Sequence, residues 1–240
     1  MTPDAEDVLN GVEAEDKAWM DAFAREFGID TDSPDAPTPA GFAREALERI
    51  PLPWAIKRPF LKLFVRDTHH YLFNTLHTPR AGETFQVRDE VRGRFIRALS
   101  DAAADGEPLV VIAHSQGTVI AYDCLKNVAD CPTVDCLVTV GSPLGIDEVQ
   151  DKLGPGFSRD NGFPEKVSGD WINVFDPLDI VSRADPRIAN DFRRGGKAVI
   201  KDVQQVNSGL WRHSMTKYLQ GSEMRSVVRD AFGQPHPDSA

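Results

Sequence analysis

The chain predicts an α/β fold, a mostly parallel sheet flanked by helices. Three observations predict it. Short apolar runs occur at Leu109–Ala113, Cys136–Val140 and Trp171–Phe175, with a weaker one around Ala198–Val206. The stretches between them are long enough for crossover connections. Small or chemically reactive residues stand just past the end of each run, where ligands and catalytic groups collect in an open parallel sheet.

The first run is the most informative. Leu109-Val-Val-Ile-Ala-His-Ser-Gln-Gly-Thr118 leads at once into a second apolar stretch, Val119-Ile-Ala-Tyr122. This is the pattern of a nucleophile elbow, a tight strand-to-helix turn that presents one hydroxyl at the sheet edge. The turn strains the serine backbone, so the residues two before and two after it must be small. Here they are Ala113 and Gly117, giving A-x-S-x-G. The helix predicted over 116–128 starts beside Ser115, so its first N–H groups can face a developing negative charge.

A nucleophilic serine needs a base, and the base needs an orienting carboxylate. With such an elbow the chain order is serine, acid, histidine. The second run ends in Gly141-Ser-Pro-Leu144, read as a structural turn near the elbow. The third ends in Asp176-Pro-Leu-Asp179-Ile-Val181, and His213 follows the fourth. Asp176 and Asp179 both stand at the right place. Asp176 precedes a proline and suits the turn; Asp179 lies further into the loop and is preferred, with Asp176 the alternative acid. Of six histidines, His69, His70 and His77 precede the elbow in a region that reads as helical, and His236 lies in a Pro-rich tail. The side chain of His114 is expected to point away from Ser115. His213 alone has the required order and context.

On these residues the chain resembles the α/β-hydrolase superfamily, within its lipase-like and esterase-like serine hydrolases. The matching segments are Val110–Asp123, Leu137–Ile146, Trp171–Val181 and His213–Leu219, which with their spacers span about residues 65–230. The resemblance implies Ser115 as nucleophile, Asp179 as acid and His213 as base. It also implies the backbone N–H of Gln116 as one oxyanion-hole donor. The expected activity is cleavage of a carboxylic ester, with an acyl or lipid-like substrate suggested by the apolar residues around 50–65 and 144–164. The same residues would support acyl transfer to another acceptor, or amide cleavage.

The resemblance has one departure. The superfamily opens with a strand ending in a His-Gly type loop that supplies a second oxyanion donor. No such segment precedes residue 109: residues 1–40 contain no run of four apolar residues, and their only glycines are Gly11 and Gly28. Leu109–Ala113 is therefore expected at an apolar sheet edge, which invites pairing with another chain. The alternative function is an interaction protein on a hydrolase scaffold, its site completed by a partner or a second copy.

Composition narrows the partners. The net charge of −10 is uneven: residues 1–40 hold eleven acids and two bases, the remaining 200 hold 26 acids and 25 bases. A near-neutral body lacks the clustered Lys and Arg that nucleic-acid binding needs. No stretch is long and apolar enough for a membrane span, and the acidic N-terminus is not a secretory signal. Cys124, Cys131 and Cys136 make no CxxC pair, which fits reduced thiols and a cytoplasmic location. No phosphate loop, dinucleotide fingerprint or metal-ligand cluster is present, so neither a cofactor nor a metal is expected.

Three regions are expected. Residues 1–41 form an acidic amphipathic helix over 4–28, with Val12, Trp19, Met20, Phe23 and Phe27 at near-helical spacing, followed by a Pro-rich linker over 31–41. Residues 42–232 form the core. Within it, 42–50 reads as a short helix and 50–66 as an aromatic, basic segment that packs on the core or caps the site. Helices are predicted at 66–77, 86–104 and 220–231, and long loops at 147–170 and 182–197. Residues 233–240 form a frayed tail.

Overall fold

A computed structural model describes residues 14–28, 54–209 and 211–233. The 42–50 helix, the 31–41 linker, its boundary with the core and the tail beyond 233 lie outside the described residues. The fold is α/β. A four-stranded parallel sheet, β3 (Val110–His114), β4 (Val134–Val140), β5 (Val167–Phe175) and β6 (Lys201–Gln204), runs in the order β3-β4-β5-β6 with helices around it. β4 is buried almost throughout and β5 from Trp171 to Phe175, as expected for a parallel sheet covered on both faces. Their near-continuous apolar sequence follows from that. The polar exceptions satisfy one another: Thr139 donates to Asn173 Oδ1 at 3.1 Å across β4 and β5, and the Trp171 indole donates to Thr139 at 3.1 Å.

Among the described residues β3 is an outer strand of this sheet. It is followed directly by α4 (Gln116–Asn127), whose Val119, Ala121, Tyr122, Cys124 and Leu125 are completely buried. α3 (Val87–Ala103) packs beside α4 through a charged knot. Arg92 grips Asp123 with two nitrogens at 2.6 and 2.7 Å, and Tyr71 donates to the same carboxylate at 2.6 Å. Burial alone would push the Asp123 carboxyl up, but Arg92, Tyr71 and Asn127 outweigh it and hold it below the usual range.

α1 (Ala14–Glu26) lies within the helix expected over 4–28; residues 4–13, with Val12, lie outside the described residues. Its apolar stripe is not left free: Phe23 and Phe27 are fully buried, and both rings lie within 6 Å of Phe64 on α2 (Trp54–Leu72). The Trp19 indole donates to the Glu148 carbonyl at 2.8 Å, and His69 meets Asp16 at 3.1 Å. α1 is thus part of the core, docked on α2 and on the short α5 (Asp147–Gln150).

Three expectations are corrected. Residues 73–77 are not helical: α2 stops at Leu72, and an antiparallel hairpin follows, β1 (Leu76–Arg80) with β2 (Glu83–Gln86). His77 therefore lies on a strand. The expected 147–170 loop contains α5 and a 3-10 turn at Arg159–Asn161, and β5 begins at Val167 rather than at Trp171. That early start escapes the apolar pattern because Ser168, Gly169 and Asp170 interrupt the run while the backbone still pairs with β4. The helix expected over 220–231 is present as α7 (Ser222–Gly233), and a further short helix that was not expected, α6 (Met215–Gln220), precedes it and ends at Gly221. Among the described residues no helix is long and apolar enough to cross a membrane.

Candidate active site

Four segments meet beyond the C-terminal ends of the strands. β3 delivers Ser115, β4 delivers Gly141, β5 delivers Asp176 and Asp179, and the chain after β6 delivers His213. Ser115 has φ 56° and ψ −133°, a strained conformation for a residue with a Cβ, and it caps α4. The strain is held from both sides. The Ser115 N–H donates to the Val140 carbonyl at 3.0 Å, and its carbonyl accepts the Thr118 hydroxyl at 2.7 Å.

Ser115 Oγ lies 2.8 Å from His213 Nε2. On the other side of the ring, Nδ1 lies 2.8 and 2.9 Å from the two Asp179 oxygens. A carboxylate can only accept, so Nδ1 carries the proton and Nε2 is left to accept from Ser115. Asp179 is fully buried. Burial alone would raise its pKa; the His213 ring, the Val181 N–H at 2.9 Å and the Tyr218 hydroxyl at 2.8 Å outweigh that and hold it below the ordinary carboxylate range. The carboxylate is ionised and fully partnered.

Asp176 has a different task. Its oxygens accept from the Leu178 and Asn207 N–H groups, both at 2.8 Å, and from Arg212 at 3.1 Å. It closes the turn after β5 and ties that turn to the segment leading to His213. Of the two aspartates left open by the sequence, Asp179 is the one in contact with His213. Gly141 explains how the acid comes so close to the strand end. It has φ 54°, and a Cβ there would stand 2.8 Å from Asp179 Oδ2 and 3.4 Å from His213 Nδ1. Ser142 is buried and committed: it accepts the Leu144 N–H at 3.1 Å and lies 2.7 Å from Thr118 Oγ1. Thr118 gives its only hydroxyl proton to Ser115, so Ser142 donates to Thr118.

Gln116 is the first residue of α4, where backbone N–H groups have no partner inside the helix. Its side chain donates to the Asp67 carbonyl at 2.8 Å and so fastens α2 over the elbow. α2 also brings Phe60 to the site. The Phe60 ring lies 5.6 Å from His213 and meets Trp211 edge-on at 4.8 Å. Leu178, in the loop between the two aspartates, is more than half exposed. The site is therefore bordered by apolar side chains, Phe60 from α2, Trp211 from the approach to His213 and Leu178 from the loop after β5.

Two neighbours escaped the sequence reading. His114 does not point away from the site: its ring lies 4.6 Å from that of His213. Burial, then the nearby His213, lowers its pKa to about 4, so it is neutral near pH 7. Its adjacency in sequence to Ser115 was visible, but its direction was not. Tyr218, five residues after His213, lies in the matching segment His213–Leu219 but gave no signal of a role of its own.

Burial pushes the thiol of Cys124 up to about 12 and those of Cys131 and Cys136 up to about 11, so all three are protonated at neutral pH. All three are free cysteines. Among the described residues no group of His, Cys, Asp and Glu is arranged to hold a metal ion. No protein-family model matches this chain, and no curated protein matches it either.

Proposed function

We propose that the protein is a serine hydrolase of the α/β-hydrolase type that cleaves a carboxylic ester through an acyl-enzyme. The observation that carries this reading is the continuous hydrogen-bonded chain from strained Ser115 through His213 to buried Asp179. In the proposed reaction His213 Nε2 takes the Ser115 proton as Oγ bonds to the acyl carbon. Asp179 holds the ring in the required tautomer and stabilises the imidazolium. The oxyanion is met by the Gln116 N–H at the start of α4. His213 then gives its proton to the departing alkoxide, and in the second half activates the water that releases the acid. No cofactor takes part. Phe60, Trp211 and Leu178 favour an acyl or lipid-like substrate with an apolar group beside His213.

The test is intact mass after incubation with a fluorophosphonate, on the wild type and on Ser115→Ala. A single adduct that is lost in the variant is the expected result. No adduct on folded wild-type protein would sink the reading. The outer position of β3 then favours the other reading, an interaction protein on this scaffold whose site needs a partner chain. Light scattering would show whether one is bound.

A further inference from the structure

We infer that Tyr218 is a positioning residue whose hydroxyl fixes one oxygen of Asp179 and so sets how tightly that carboxylate holds His213. The inference rests on the hydrolase reading above, and names a residue that the reading does not need.

Tyr218 lies on α6, which begins two residues after His213, and it is fully buried. Burial of the ring alone would be served as well by phenylalanine. The hydroxyl, however, makes two directed contacts. It donates to Asp179 Oδ2 at 2.8 Å and accepts the Asp176 N–H at 3.0 Å. Burial and the Asp179 charge push the phenol up, so it stays protonated and remains a donor. The ring is fully buried, and the hydroxyl is held from two sides by these contacts.

The consequence lies in how the carboxylate is shared. Oδ1 accepts from the Val181 N–H and Oδ2 from Tyr218, while His213 Nδ1 stands almost equidistant from both. One donor on each oxygen balances the charge across the pair and fixes the plane of the carboxylate. Without the Tyr218 proton, charge gathers on Oδ2, the imidazolium is held more strongly, and His213 gives up its proton less readily. The ionisable and charged groups facing this cluster are His114 from β3, Asp176 from the same loop, and Arg212, which is paired to Asp176. Of these, only Asp176 touches the Tyr218 hydroxyl, and through its backbone N–H rather than its carboxylate, which keeps Leu178, Asn207 and Arg212 as partners when the hydroxyl is changed.

The experiment uses the full chain with Tyr218→Phe, and separately with 3-fluorotyrosine at 218, whose more acidic hydroxyl is the stronger donor. Two quantities are read: the NMR titration midpoint of His213, and the rate of Ser115 labelling by fluorophosphonate against pH. In Tyr218→Phe the His213 midpoint is expected to rise by about one pH unit, the acid limb of the labelling profile to follow it, and the rate on that limb, below both midpoints, to fall about tenfold. The fluorotyrosine protein is expected to move the midpoint the other way. In an Asp179→Asn background both shifts vanish, because the effect passes through the carboxylate. An unmoved midpoint in Tyr218→Phe, or an equal shift in the Asp179→Asn background, would overturn the inference. Should Tyr218→Phe fail to fold, the fluorotyrosine protein decides the matter by itself. Should the wild type fail to label, the hydrolase reading falls while the His213 midpoints still decide the role of Tyr218.

Discussion

Replacing Gly141 by alanine tests whether the acid is seated against the end of β4 as described. Two costs add. The left-handed backbone, φ 54°, costs an alanine roughly 1 kcal/mol. The new methyl would stand 2.8 Å from Asp179 Oδ2 and 3.3 Å from Tyr218 Cε2, inside a fully buried cluster. Forcing an extra carbon into such packing costs about 1–3 kcal/mol more. The sum, about 2–4 kcal/mol, lowers the Tm of a chain of this size by roughly 10 °C. Gly82 supplies the control. It has φ 87° in the exposed hairpin, and an added methyl there would meet nothing within 4 Å. Gly82→Ala therefore carries only the backbone cost and lowers Tm by about 3 °C. The same pair separates seating from stability. Gly141→Ala pushes the carboxylate off His213 and slows fluorophosphonate labelling of the protein that remains folded; Gly82→Ala leaves labelling unchanged. Equal melting shifts and equal labelling in the two variants would refute the reasoning, because Asp179 would then not be pressed against this strand end.

The two aspartates are expected to separate by function. Asp179→Asn keeps the fold but leaves His213 in the wrong tautomer, cutting labelling by about 10⁴, whereas Asp176→Asn breaks the buried pairing with Arg212, lowers stability by about 3 kcal/mol and leaves most labelling in the surviving fold. The reverse pattern in melting and labelling assays would reassign the acid. Stability should also fall with acid through His114. Its pKa is about 4 in the fold and 6.5 unfolded, so between those values the unfolded chain binds more protons. The contribution is complete above pH 6.5 and lost by pH 4, on the order of 3 kcal/mol. Denaturant midpoints at pH 7.5 and 4.5 should therefore differ less in His114→Phe than in wild type; identical differences would count against it.

Much of the sheet could be read from the sequence because buried parallel strands leave an unbroken apolar run and because the elbow demands small residues at 113 and 117. The order of Ser115, Asp179 and His213 was legible for the same reason: each follows a strand end. What was hidden is what periodicity does not encode. The hairpin at 76–86 is solvent-exposed on nearly every residue, so it carries no alternation of apolar and polar positions. His114 was misjudged because side-chain alternation holds only within a strand, and Ser115 has already left it at φ 56°. Tyr218 reaches Asp179 across 39 residues, and nothing local to either distinguishes that bond from ordinary burial.

The neighbour order of the sheet is also its order along the chain. No strand has to be inserted between two that are already paired, so the sheet can grow by addition at one edge, from β3 towards β6. The proposed nucleophile stands on the first strand of that series, and the base arrives 98 residues later, after the last. Ser115 can thus occupy its turn while still chemically silent. Under the proposed function, reactivity at this serine would then report the moment at which the segment beyond β6 joins the sheet.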